Sequence, residues 1–313
     1  MDSRATPAQP PSQPRFLMCP PRFFAVSYSI NPWMNPNAWA GGADVLHMQA
    51  ERQWTSLRRV LIGLGAAVET IEPQPDLPDL VFTANAAVVL DGKAVLARFC
   101  HDERQNEEPV FDAAFTALKA RGLIDEIVHV PVDVTLEGAG DCIYDVRRAV
   151  LWMGCGFRSD ARAAGVIEEQ FGVRCIALPL ADPRFYHLDT AFCALPCGGV
   201  IYYPQAFTPA ALAAIHERVA PADRITLNGA DAARFAANAV CVGRTIVLSS
   251  CGDALRGKLE RRGYAVVETP LDVFQKSGGS ACCLTLRLDH RPRAAAAAAA
   301  ETEETPTRAA ASF

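Results

Sequence analysis

A chain of 313 residues, 50% apolar and 21% charged, has a globular composition, enough for one large domain or two ordinary ones. A formal charge of −5 with no Lys/Arg-rich face argues against a nucleic-acid partner, and no apolar run reaches the roughly 18 residues of a membrane helix. Eleven cysteines, an odd count without short regular spacing, fit a reducing cytoplasmic compartment better than a disulfide framework.

In chain order, residues 1–14 are rich in Pro, Gln and Ser and lack the apolar core of a signal peptide, so a disordered tail is expected there. Residues 15–289 are expected to form a single domain built from a recurring unit. Each unit starts with small residues around an Asn or Asp, runs on as a short apolar strand, turns, and returns as a second strand. The first spans 82–90 around Asn85, turns at Asp91-Gly92 and returns at 94–97. The second spans 136–144 around Asp141 and returns at 149–153. The third spans 187–195 around Asp189 and returns at 199–203. The fourth spans 237–242 around Asn238 and returns at 244–248.

Apolar residues at helical spacing predict helices over 110–121, 160–171, 209–219 and 254–262. Ser159 or Asp160 is a candidate N-cap for the second, and Gly172 is its stop. Each helix precedes an apolar strand, at 127–130, 174–178, 224–227 and 265–268. The last unit, Ser277-Gly278-Gly279-Ser280-Ala281-Cys282-Cys283-Leu284-Thr285-Leu286, has a Gly pair, two thiols and then an apolar run read as a strand. Its partner strand has to come from elsewhere in the chain. Residues 290–313, with seven consecutive alanines followed by Glu, Thr, Pro and Ser, are expected to be a disordered tail. Hairpin, helix and strand recurring about every 50 residues predict a radial α/β architecture in one closed domain. Helices lie outside, and the polar strand-entry residues converge on a central channel.

Those entry residues are Asn85, Glu137, Asp141, His187, Asp189 and Cys282. His187 and Asp189, two apart on a strand, would share a face. Charged groups are seldom buried unpaired, so carboxylates at the centre of a ring require a metal ion or a cationic substrate. His187, Asp189 and Glu137 have no second His near enough to complete a metal site. Cys282, beside glycines that leave it open, suits a nucleophile, and the alternative for it is a small core hydrophobe. Cys283 would point to the opposite face of the strand and is read as structural. A papain-like hydrolase places its Cys before its His and needs no carboxylate cluster.

Phe82-Thr83-Ala84-Asn85, Glu137-Gly138-Ala139-Gly140-Asp141, Gly154-Cys155-Gly156-Phe157-Arg158, His187-Leu188-Asp189-Thr190 and Gly278-Gly279-Ser280-Ala281-Cys282 together resemble the signature set of the guanidino-group-modifying enzymes. The resemblance covers nearly the whole folded region. Met18-Cys19-Pro20-Pro21 and Ile30-Asn31-Pro32-Trp33-Met34 resemble most the arginine dihydrolase and dimethylarginine hydrolase-like branches. The resemblance implies a five-bladed α/β-propeller, the pentein fold, and a hydrolase of linear amidines that uses no cofactor. Cys282 would attack the guanidinium carbon and form a thiouronium, with His187 as general acid and base. Glu137 would orient His187 or bind the guanidinium, and Asp189 would bind the guanidinium. Asp141 would bind substrate or brace the Gly turn.

Arg158, after a Gly-x-Gly turn, is a candidate for the substrate carboxylate. The charged run after residue 97 is read as solvated, with Arg98 and Arg104 as the exceptions, and Asn35 and Asn37 are candidate second amides at the site. Asn85 stands where arginine deiminases carry an aspartate. One negative charge fewer suits a neutral ureido group as well as a guanidinium, and so a second round of hydrolysis from citrulline to ornithine. The expected substrate is a small cationic guanidino compound, arginine or methylated arginine. Dimethylarginine dimethylaminohydrolase is the runner-up, then amidinotransferase or arginine deiminase. A non-catalytic binding propeller is the reading the complete Cys, His and carboxylate set argues against. A homo-oligomer is compatible with the sequence.

Overall fold

A computed structural model describes residues 13–292. Strand β1 (Arg15–Met18) runs parallel to β2 (Ala67–Thr70). Between them lies a helix the sequence reading passed over, Ala43–Gly63, which buries Ala50, Trp54, Leu57 and Leu61 at helical spacing. Four units of one pattern follow. β3 (Ala87–Leu90), β4 (Lys93–Leu96) and β5 (Glu126–His129) form the first. β6 (Cys142–Asp145), β7 (Val150–Cys155) and β8 (Cys175–Pro179) form the second. The third is β9 (Phe192–Ala194), β10 (Val200–Tyr202) and β11 (Arg224–Thr226). The fourth is β12 (Val240–Val242), β13 (Thr245–Leu248) and β14 (Ala265–Glu268). In each, the first two strands pair antiparallel and the third adds parallel to the second.

The fifth sheet is closed by the two ends of the described chain. β15 (Leu286–Arg287) pairs antiparallel with β1, Leu286 opposite Leu17. The partner expected from elsewhere is therefore β1. The chain stays attached beyond both expected tail boundaries. Gln13 Nε2 donates to Gly65 O, Asp91 N donates to His290 O at 2.7 Å, and Arg291 pairs with Asp125. The remainder of both expected tails lies outside the described residues.

The predicted helices form for the predicted reason. Helix Glu108–Ala120 buries Phe111, Phe115 and Leu118, one stripe of the helix, against Ala94 and Leu96 of β4. Helix Ala163–Phe171 ends at Gly172, whose φ of +61° is left-handed. Neither candidate N-cap serves it: its N-cap position is Arg162, and Ser159 is engaged deeper in the fold. Residues from β3, β6, β9, β12 and β15 all line one apolar cavity of about 160 Å³. The five first strands thus face a common space, and the segments that precede them meet above it.

Candidate active site

The strand-entry segments are tight turns rather than strand. Thr83–Ala86, Gly138–Asp141 and Leu188–Thr190 are single helical turns leading into β3, β6 and β9. His187 and Asp189 therefore do not share the face of a strand; they come together because His187 precedes a turn that contains Asp189. Gly140 lies against Asn85 and His187, and a Cβ there would overlap the Asn85 amide nitrogen. Gly278 has φ +88°, and a Cβ would stand 2.7 Å from Tyr186 Oη.

Glu137 is the hub. Fully buried, it meets His187 Nε2 at 2.7 Å and Arg158 Nη1 at 3.0 Å through Oε2, and accepts Cys100 N at 3.2 Å through Oε1. Burial pushes its carboxyl up, but Arg158, the bond to His187 and Arg104 outweigh this and hold it well below the usual carboxylate range. An ionised Glu137 can only accept, so His187 carries its proton on Nε2 in the neutral imidazole, and Nδ1 keeps a lone pair. Asp141 is a brace. Its Oδ1 accepts Leu188 N at 3.0 Å and its Oδ2 accepts Ser159 Oγ at 2.6 Å, while Ser159 Oγ accepts Glu137 N. With Oδ1 on the Leu188 backbone and Oδ2 on the Ser159 hydroxyl, Asp141 is arranged as a brace, one of the two roles expected for it.

The two thiols exchange the expected places. Residues after Ser280 form a turn, with Leu284 N donating to Ser280 O and Thr285 N to Cys282 O; the strand begins only at Leu286. Cys283 lines the polar cavity together with Asn31, Asn85, Arg104, Arg158 and His187. Cys282 instead lines the apolar cavity behind it, with Cys193 and Cys241. Cys283 Sγ donates to Asp189 Oδ2 at 3.1 Å and accepts from Asn238 Nδ2 at 3.0 Å, and its N donates to Asn238 Oδ1. Burial and Asp189 push the Cys283 thiol up; burial also raises Asp189, to about 7, against the bonds from Cys283, Asn238 and Cys282. The pair as it stands is a neutral thiol beside a carboxyl poised near neutrality.

Asn85 is held by a residue the sequence singled out only in passing. Arg104, 2% exposed, donates from Nη1 to Asn85 Oδ1 at 2.8 Å, bonds Glu107 through Nε and Nη2, and lies 4.4 Å over the Phe99 ring. With its oxygen taken, Asn85 presents its NH2 group, at 3.3 Å from Glu137 O. Arg158 reaches Ile30 O at 3.0 Å and lies 4.5 Å over the Tyr186 ring, so it lines the cavity as expected but is already paired to Glu137.

Three expected residues lie elsewhere. Asn35 is exposed and caps helix Pro36–Ala40 through Ala38 N, and Asn37 is exposed in that helix. The amide that this loop brings to the cavity is Asn31, whose Nδ2 donates to Ser277 O at 3.0 Å. Arg98 lines a separate cavity, because the bridge it forms with Leu136 carries it past the site. Asp79 carried no sequence signal; it accepts Tyr28 Oη and Ser277 Oγ. Asn238 did carry one, as the entry residue of the fourth unit.

The cavity has about 10 Å³ of free space, room for about one water, and Ile30, Asn31, Ser277 and Gly279 form part of its wall. Among the described residues no cluster of His, Cys, Asp and Glu suits a metal ion, and no helix is long and apolar enough to cross a membrane. The arrangement offers a thiol, an imidazole oriented by a carboxylate, and a second buried carboxyl on the thiol, which is the equipment for nucleophilic attack on a cationic carbon.

Comparison with known proteins gives this geometry a family. The profile of the family described as N,N dimethylarginine dimethylhydrolase, eukaryotic, matches residues 30–289. The bifunctional arginine dihydrolase/ornithine cyclodeaminase AgrE of Nostoc is 43% identical over 277 residues, 88% of this chain but only 38% of the relative. The N(G),N(G)-dimethylarginine dimethylaminohydrolase of Mycobacterium tuberculosis is 37% identical over 281 residues, 89% of this chain and 87% of the relative. The crystal structure of the N-terminal domain of ArgZ, a cyanobacterial arginine dihydrolase, in a Cys→Ser variant bound to substrate, superposes with TM-score 0.83 at 39% identity, covering 90% of this chain and all of that one.

Proposed function

Since the chain belongs to the N,N dimethylarginine dimethylhydrolase family, we propose that it is a cysteine hydrolase of guanidino C–N bonds and acts as an arginine dihydrolase, converting arginine and two waters to ornithine, two ammonia and carbon dioxide. The observation that carries the second hydrolysis is Asn85. Arg104 fixes its amide so that the NH2 group is presented. A donor there suits a ureido oxygen, whereas an aspartate would favour a full cation and be neutralised in part by Arg104.

In this mechanism a guanidinium binds beside Asp189, its charge lowers the Cys283 pKa, and the thiol proton passes to the free Nδ1 of His187. The Cys283 thiolate attacks the guanidinium carbon. His187, held by Glu137, protonates the departing nitrogen, and ammonia leaves behind a thiouronium. His187 then takes a proton from water, which attacks the same carbon and displaces the thiolate, giving citrulline. The neutral ureido group repeats the cycle with Asn85 donating to its oxygen: a second ammonia leaves, water displaces the thiolate, and the ornithine Nδ-carbamate so formed breaks down to ornithine and carbon dioxide. Arg158 and Asn31 line the same cavity, which supports them as candidates for the α-carboxylate and α-amine of an amino-acid substrate.

We read the five sheets as the blades of a pentein α/β-propeller within one catalytic domain; the cavity bounded by all five first strands supports this. Eleven free thiols support a reducing, cytoplasmic setting. Dimethylarginine hydrolysis is the second reading, favoured by the Mycobacterium relative that matches over most of its length. Incubation of the purified protein with arginine, citrulline and dimethylarginine, with amino-acid analysis of products, separates them. Ornithine from both arginine and citrulline is the expected result. Citrulline as the sole end product of arginine overturns the dihydrolase reading, and citrulline from dimethylarginine alone moves it to the second.

A further inference from the structure

Arg98 has no place in the chemistry above, yet it is not a surface arginine. It lines a cavity of about 250 Å³ beside β4, β5 and helix Glu108–Ala120, which shares no residue with the polar cavity at Cys283. Its Nε is buried with no hydrogen-bond partner, and its guanidinium forms no ion pair among the described residues. A buried N–H without a partner costs free energy comparable to a lost hydrogen bond, so the cavity needs an acceptor. Two carboxylates share the same walls. Glu108 Oε1 accepts Phe99 N at 2.8 Å, which leaves Oε2 free to accept from the cavity. Asp112 and His129, 3.4 Å apart and about half exposed, stand at the rim.

A simple anion would satisfy Arg98 but face Glu108 and Asp112; a simple cation would do the reverse. One small molecule carrying both charges satisfies both. We propose that this cavity binds a zwitterionic α-amino acid, its carboxylate on Arg98 and its ammonium on Glu108 and Asp112. By the measure on which the polar cavity at Cys283 holds about one water, this one is about 25 times larger, 250 Å³ against 10 Å³, room for a small amino acid. The apolar wall of Leu96, Phe111 and Val130 would take the side chain.

The site is tied to the catalytic centre through backbone. Arg98 N donates to Leu136 O at 2.9 Å and Leu136 N returns to Arg98 O at 3.0 Å, one residue before Glu137. Two residues on, Cys100 N donates to Glu137 Oε1. An occupant that draws on Arg98 therefore acts on a segment that itself holds Glu137.

Equilibrium dialysis with radiolabelled L-alanine, which has no guanidino or ureido group, tests this without reference to turnover. Saturable binding of one L-alanine per chain is expected, displaced by glycine but not by equimolar acetate or methylammonium. Arg98→Met, which keeps the apolar stem, should weaken binding at least tenfold. Glu108→Gln, which keeps an acceptor for Phe99 N, should weaken it by a similar factor, and reads the site even if the Arg98 variant folds poorly. No saturable binding, displacement by acetate as effective as by glycine, or unchanged binding in Glu108→Gln each overturns the proposal. A protein that turns over no guanidino compound would leave this result unaffected.

Discussion

The prediction that most sharply separates the geometry from the motif is the exchange of the two thiols. Replacing Cys283 with serine removes the sulfur but keeps a group that donates to Asp189 Oδ2 and accepts from Asn238 Nδ2, the two contacts now made at 3.1 and 3.0 Å. The backbone bonds of residue 283, from its N to Asn238 Oδ1 and from Ala84 N to its carbonyl, do not involve the side chain. The fold should therefore lose less than about 1 kcal/mol, a shift of only a few degrees in Tm. A hydroxyl is far more weakly acidic than a thiol and has no base within its contacts comparable to a serine hydrolase's, so turnover should fall by at least about 10⁴-fold. Cys282→Ala removes one sulfur from the wall of the apolar cavity and should cost about 1 kcal/mol of stability. Its turnover should stay within about threefold of the parent, because Asp189 loses only the bond from Cys282 and keeps those from Cys283 and Asn238. Ammonia release from arginine, run beside thermal unfolding and peptide mapping of a quenched reaction, reads all three quantities. A Cys283→Ser protein with parental turnover, or a well-folded Cys282→Ala protein without it, would refute the assignment.

Three further outcomes follow from the same site. Asn85→Asp should shift the product of arginine from ornithine to citrulline, with the ornithine share falling about tenfold, because Arg104 then meets a carboxylate and the donor to a ureido oxygen is gone; an unchanged product ratio by amino-acid analysis counts against it. Glu137→Gln keeps an acceptor for Cys100 N but strips the charge from buried Arg158 and His187, so kcat should fall about 10²–10³-fold and stability by about 3–5 kcal/mol, checked by kinetics and urea unfolding. Asp189 gives the pH dependence. Its folded pKa, about 7, is raised above its ordinary 3.8, so the stability it contributes is fully present below 3.8 and is lost as pH rises to about 7. Its ionised form binds the guanidinium, so kcat/KM should rise about tenfold per pH unit up to about pH 7 and then level. An acid limb centred near 4 would show that another group governs binding.

The repeat, the helices and most of the site's residue types were legible because they are encoded locally. Leu118, Phe115 and Phe111 repeat at helical spacing, and Gly172 stops a helix, whatever the rest of the chain does. Glu137 and His187 stood out by position, each at the entry of a unit. Asn31 and Asp79 did not, since each looks like ordinary polar surface until Ser277 and Tyr28 are brought beside it, and Arg104 stood out only as an exception in a charged run until Asn85 is placed against it. Asn35, Asn37 and Arg98 show the opposite failure: the right chemistry in the right segment, directed elsewhere by a helix cap and a backbone bridge.

By itself, the chain determines an α/β domain of recurring hairpin, helix and strand, and the kinds of group that meet at its site: a thiol, an imidazole, carboxylates and an amide. Tertiary structure alone decides which thiol faces the polar cavity. On a strand, Cys282 and Cys283 would point to opposite faces in the order first expected. Residues 280–285 instead form a turn whose direction is fixed by contacts from far away in sequence, Ala84 N on the Cys283 carbonyl and the Asn238 amide on its N and Sγ. Those bonds turn Cys283 toward His187's cavity and leave Cys282 to the apolar space behind. No local periodicity could encode that choice, because the partners that make it become neighbours only when the five units close on one another.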